Sequence, residues 1–184
     1  MLFKAGIAGV MTLAVIATGS QIIFPPSPVL FYNPSYSAKV GWYRLKPNEP
    51  VLLGSQVAAY APEWARRFAD ERGYLPYDYP LIKTVWAVHG DEVCYNNQSF
   101  SVPKRPDIPV LGQDVLGRDM PQKSGCIVLK SGEYLIISPD VQTGFDSRYF
   151  GSVGRENIVG VVQYLGDSKA LKSSKSVGLG GFEG

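Results

Sequence analysis

The sequence predicts a mainly β domain with one short helix, carried behind an N-terminal membrane helix. Three observations lead there. First, with 18 Lys and Arg and 16 Asp and Glu in 184 residues, only Lys4 falls within residues 1–38, and Ala5 to Ala38 carries no charge. Second, short apolar runs beyond that point are separated by Gly, Pro, Asn and Asp, as strands are by turns. Third, only one stretch, Pro62 to Arg72, has helical spacing and stop signals.

The N-terminal stretch comes first. Residues 5–24 are uncharged and, Gln21 apart, apolar or small, and a helix of about 20 such residues spans a hydrocarbon core. Lys4 and the amino terminus keep the leading end in the cytoplasm, which sends residue 25 onward across the membrane. Pro25, Pro26 and Pro28 stop the helix. Residues 1–28 are therefore read as a membrane anchor, or as a signal sequence cut after Gly19, where Ala17 and Gly19 supply small residues. The apolar patch Ile22-Ile23-Phe24 favours the anchor. Either way the folded part, residues 29–166, works outside the cytoplasm.

Within that part the expected strands are Gly41–Leu45, Val51–Tyr60, Leu81–Val88, Glu92–Tyr95, Ser99–Val102, Cys126–Leu129, Glu133–Ser138 and Ile158–Tyr164. Asn96-Asn97 suits a tight hairpin, because Asn tolerates positive φ. In the helix, Pro62 suits the first turn, Trp64 and Phe68 lie four apart, and Gly73 is a stop. Asp107 to Lys123 reads as a long polar loop. The tail, 167–184, is rich in Gly, Ser and Lys and has too little apolar surface to order.

Net charge is +2, and residues 39–166 balance to zero. That argues against nucleic-acid binding, which shows a basic excess on one face. Two cysteines and one histidine fall short of a zinc site's four ligands, or three plus water. No metal and no cofactor are expected. Cys94 and Cys126 are either a disulfide, which an oxidising compartment permits, or two buried thiols.

Metal-free hydrolysis needs a nucleophile, a base and oxyanion donors. A Ser-His-Asp triad would have to use His89, which precedes a Gly90-Asp91 turn and reads rather as a surface turn residue. Lysine is the other base, provided that it is desolvated and neutral. Lys83 sits in P-L-I-K-T-V-W-A-V, sharing a strand face with Leu81 and Val85. The alternative is an edge-strand lysine that deters aggregation. Ser35 and Ser37, in N-P-S-Y-S-A-K-V-G-W-Y, point the same way in an extended chain, or else belong to a plain linker.

Four blocks in this order resemble the signal-peptidase superfamily of Ser-Lys membrane proteases, and most closely its conjugative-transfer branch, the TraF-type pilin-maturation peptidases. They are N-P-S-Y-S-A-K-V-G-W-Y (33–43); E-R-G-Y-L-P (71–76) leading into P-L-I-K-T-V-W-A-V-H-G-D-E-V-C; S-G-C-I-V-L-K-S-G-E-Y-L-I-I-S (124–138); and F-D-S-R-Y-F-G (145–151). The resemblance implies a signal-peptidase-like antiparallel β-fold. It aligns Ser37 with the nucleophile, Lys83 with the general base, Asp146 with an acidic residue that the branch needs and Arg148 with its basic neighbour. It places Ser35 where a hydroxyl oxyanion donor stands and pairs Cys94 with Cys126 as a disulfide. Lys39 and His89 stand where the family favours proline; neither departure removes a catalytic group. The implied protein is anchored in the inner membrane by a single span, with its catalytic domain in the periplasm. Its implied partner is a propilin or other membrane-bound precursor, which some members of the branch cyclise. A general type I signal peptidase and a non-catalytic part of a secretion channel are the rival readings.

Overall fold

The computed structural model describes residues 29–167. The expected anchor (1–28) and all but the first residue of the expected tail (167–184) lie outside the described residues. Among the described residues, no helix is long and apolar enough to cross a membrane.

Among the described residues, eleven strands form two antiparallel sheets. They are β1 (Leu30–Asn33), β2 (Gly41–Leu45), β3 (Gln56–Ala59), β4 (Leu81–Ala87), β5 (Glu92–Tyr95), β6 (Ser99–Ser101), β7 (Ile108–Pro109), β8 (Gly125–Val128), β9 (Glu133–Ile137), β10 (Val153–Gly154) and β11 (Ile158–Gly166). The larger sheet runs β1-β2-β11-β3-β4-β9-β10 and the smaller β7-β6-β5-β8. Two helices, α1 (Glu63–Glu71) and α2 (Ser147–Phe150), complete the elements that matter here.

All eight expected strands form, with bounds shifted by up to five residues. The largest shift shortens Val51–Tyr60 to β3, because Leu52 to Ser55 make a turn closed by the Ser55 amide on the Leu52 carbonyl. Pro62 caps α1, and Gly73 (φ 71°) follows its end in the left-handed region that glycine favours. Three short strands and α2 are additional to the expectation. One of them, β7, lies inside the expected loop 107–123; its Pro109 is tolerated because β7 is a sheet edge. The Asn96 hairpin forms without positive φ at either asparagine. Instead the Asn96 side-chain oxygen accepts the amides of Gln98 and Ser99 at 2.8 and 2.7 Å, so the side chain closes the turn.

The larger sheet is covered on both faces, which explains the near-continuous apolar reading of β4. Val57, Ala59, Val85 and Ala87 face the main core, shared with α1, α2 and the smaller sheet. Ala58 and Ile82 face a second cluster with Phe31, Tyr43 and Val162. Alternation along β4 thus directs Leu81, Lys83 and Val85 to the main-core side.

Candidate active site

The serine block is the connection between β1 and β2, whose register pairs Asn33 with Gly41. Residues 34–40 form a turn rather than the extended chain expected from the sequence. Asn33 causes the difference. Its buried side-chain amide donates to the carbonyls of Ser35, Ala38 and Lys39 at 2.8, 3.2 and 3.2 Å. Its oxygen accepts the Ser35 hydroxyl at 3.0 Å. Gly41 closes the loop where a side chain does not fit, since an added Cβ would collide with the Gly166 backbone. The curled loop still brings Ser35 Oγ and Ser37 Oγ to 2.8 Å. The Ser37 backbone amide donates to no acceptor among the described residues.

Lys83 is fixed by register. In the β4–β9 pairing Thr84 opposes Ile137, so the next step sets Lys83 opposite Ser138, the residue after β9. Lys83 Nζ donates to Ser138 Oγ at 2.8 Å, and the side chain is 2 % exposed. Burial pulls the Lys83 pKa down from 10.5 to about 8; Asp146 opposes this and Arg148 adds to it. A lysine near 8 is neutral often enough to take a proton close to neutral pH.

Asp146 and Arg148 hold the other side of Ser138. Both side chains are fully buried and pair at 2.8 Å through Arg148 Nε. The Ser138 amide donates to Asp146 Oδ2 at 2.9 Å, and Arg148 Nη2 donates to the Ser138 carbonyl at 2.9 Å. Arg148 Nη1 also reaches the Gln142 carbonyl at 3.0 Å. A buried ion pair needs such extra bonds, because the desolvation cost rivals the attraction. Asp146 also caps α2 through the Arg148 amide. Asp146 and Arg148 therefore reach Lys83 through the backbone of Ser138, without touching its Nζ.

Two cavities meet at the Ser37–Lys83 boundary. One, of about 270 Å³, has Ser35, Ser37 and Lys83 on one side and apolar walls from Leu81, Phe145 and Tyr149. Asp114, bonded to Tyr74 and to Arg118 Nε at 2.7 Å, holds part of its rim. The other cavity, of about 530 Å³, shares Ser37 and Lys83 but is lined by Gln56, Thr84 and Asp140. Ser37 and Lys83 thus border the same space, while each is hydrogen-bonded to another serine.

The remaining predicted residues fall as follows. Cys94 and Cys126 are joined by a disulfide between facing residues of β5 and β8. His89 is an exposed turn residue whose Nδ1 lies 3.2 Å from the Leu129 carbonyl oxygen, and it borders neither cavity above. Lys39 is exposed, its Nζ 5.7 Å from the Tyr164 ring centre. Sequence reasoning missed Asn33 and Ser138 as site residues. Asn33 opens the serine block and Ser138 ends the third block, but neither position reveals a contact with the serine loop or with Lys83.

Residues 2–165 match the family described as Signal peptidase, peptidase S26. The plasmid transfer protein TraF of Escherichia coli is 35 % identical over 142 residues, covering 71 % of this chain and 79 % of that protein. A probable conjugal transfer protein TraF of Sinorhizobium fredii is 32 % identical over 165 residues, covering 83 % and 84 %. A signal peptidase I structure from Enterococcus faecalis aligns with a TM-score of 0.35 at 15 % identity, covering 65 % of this chain and 100 % of that one.

Proposed function

The chain belongs to the signal peptidase S26 family of serine peptidases, and from that premise we propose that it is a membrane-anchored endopeptidase of a conjugative transfer system. Its substrate is a propilin, which it cleaves, and can cyclise, through a Ser37–Lys83 acyl-enzyme. The supporting observation is the wall shared by both cavities. It carries the Ser37 hydroxyl, in contact with the Ser35 hydroxyl that borders the smaller cavity, a Ser37 amide that donates to no acceptor among the described residues, and a buried lysine of lowered pKa. The likeness to two conjugal transfer proteins named TraF supports the conjugative setting.

In this reading neutral Lys83 takes the Ser37 proton as Oγ attacks the scissile carbonyl. The 2.8 Å bond from Lys83 to Ser138 is the resting arrangement. Rotation of the Ser37 hydroxyl away from Ser35 engages the base, and the Ser35 hydroxyl swings its proton from the Asn33 side-chain oxygen to the oxyanion. The Ser37 amide and Ser35 hydroxyl then hold the oxyanion, each donor worth roughly 3–4 kcal/mol. Lys83 passes the proton to the departing amine, leaving an ester on Ser37. Water or an amine completes the turnover. Asp146 and Arg148 act as positioning residues that keep Ser138, and through it Lys83, in place. Residues 1–28 hold this assembly at the outer face of the inner membrane, beside the emerging precursor.

The test is acylation by a penem-type inhibitor followed by mass spectrometry. The expected adduct sits on Ser37 and is lost in Ser37→Ala and in Lys83→Ala. Labelling elsewhere, or propilin processing that survives either substitution, overturns the reading. The mass of mature pilin separates the two products, since a cyclic chain is one water lighter than the linear one.

A further inference from the structure

We propose that the larger cavity is the amine-side subsite of this active site, and that Asp140 selects a positively charged group there. The inference rests on the Ser37–Lys83 reading above. A peptide crossing a serine nucleophile has an acyl half and an amine half on opposite sides of the attacking oxygen. Ser35 borders the smaller, apolar cavity and not the larger one. On this assignment the acyl half occupies the smaller, apolar cavity, with its carbonyl oxygen at Ser35. The amine half then falls in the larger one, which shares Ser37 and Lys83 but has different chemistry.

That chemistry is more polar than the smaller cavity's and includes one carboxylate uncommitted among the described residues. Three charged side chains line the larger cavity: Lys39, Lys83 and Asp140. Lys83 is buried and bonded to Ser138. Lys39 leans toward the Tyr164 ring on the β11 side. Asp140 follows Ser138 by two residues, is exposed, and forms no hydrogen bond or ion pair among the described residues. Its carboxylate is thus available to an alkylammonium or guanidinium entering with the amine half.

The subsite serves both halves of an acyl transfer. In acylation the Oγ–C bond forms, the C–N bond breaks, and the serine proton leaves through Lys83 on the departing amine. In aminolysis an acceptor held as an ammonium first sheds one proton to solvent; the neutral amine then forms the C–N bond, the Oγ–C ester breaks, and a second amine proton returns through Lys83 to Ser37. Water in place of the amine gives hydrolysis. The cation that Asp140 selects comes either from a side chain just after the scissile bond or from the amino terminus of an incoming acceptor.

Two measurements on the full chain in detergent micelles distinguish these sources. The first compares peptides identical except for Lys or Glu at the second and third residues after the cleaved bond. Wild type is expected to favour Lys in kcat/KM by roughly two- to fivefold, the scale of an exposed ion pair. Asp140→Asn should remove that ratio and Asp140→Lys invert it. The second presents glycinamide to the acyl-enzyme and reads the ratio of amide to acid product. A fall in that ratio in Asp140→Asn assigns the cation to an acceptor amine. If both ratios are unchanged in Asp140→Lys, or wild type favours Glu and Lys39→Gln removes that preference, the proposal is overturned. Peptide cleavage that persists in Ser37→Ala would instead sink the Ser37–Lys83 reading, and the subsite with it. Cleavage that requires Ser37 but ignores charge sinks the subsite alone.

Discussion

The burial of Lys83 links catalysis and stability in one measurable way. Its pKa is lowered by burial from 10.5 to about 8, and the side chain is 2 % exposed. As general base it acts only when neutral. With a pKa of about 8, roughly one molecule in ten is competent at pH 7 and nine in ten at pH 9. The second-order rate of acylation by a penem-type inhibitor should therefore rise about tenfold over that interval and then level. The same residue titrates in folding. Below about pH 8 Lys83 is protonated in both states, and the folded state bears the cost of a buried ammonium. Between about 8 and 10.5 the unfolded chain binds the proton that the folded chain has shed, so stability rises with pH across this window. The interval from 10.5 to about 8 corresponds to about 3 kcal/mol. Lys83→Met has no such titration. Its advantage over wild type in equilibrium denaturation should be largest below about pH 8 and shrink by about 3 kcal/mol as pH passes 10.5. The comparison cancels the buried tyrosines, which titrate in both proteins. An acylation rate flat from about pH 7 to 9, with a pH-independent stability difference, would refute the argument that burial tunes this lysine.

Three further outcomes follow from the geometry. Asp146→Asn strips the partner from a fully buried Arg148 and should cost about 3–5 kcal/mol in urea denaturation, whereas Glu63→Gln, which breaks the exposed Glu63–Arg67 pair on α1, should barely shift the midpoint. Asn33→Ala leaves three loop carbonyls without their shared donor; acylation should slow by about 10-fold or more while stability falls by about 1–3 kcal/mol, read by inhibitor kinetics and denaturation of the same sample. Replacing Cys94 and Cys126 by Ser opens a bridge between residues 32 apart, and should cost about 3–4 kcal/mol of stability, matched by wild type in reductant.

Much of the fold is legible in short-range signals. β2 and β5 have the bounds expected from their alternation and their flanking turn residues. Pro62 and Gly73 bracket α1 because a missing amide and a left-handed φ act within one turn of chain. β10 and β7 are two residues each, too short for any period to show. The serine loop shows the limit more sharply. Proline and alternation suit an extended reading of 33–37, but one buried asparagine side chain donates to carbonyls two, five and six residues ahead and curls the loop.

The sequence alone determined the family, the order of its four blocks, and the unusual placement of a lysine among apolar strand residues. Those are properties of neighbours along the chain, and spacing preserves them. Only the tertiary structure decided what surrounds that lysine. Ser138 lies 55 residues away and meets Lys83 through antiparallel register. Asp146 and Arg148 reach it by clamping the Ser138 backbone from both sides. The division of the site into an apolar cavity and a more polar one also arises only when β4, β9 and the serine loop come together. A one-residue slip in the β4–β9 pairing would turn the lysine's neighbours to the opposite face, so its protonation belongs to the folded register and not to its place in the chain.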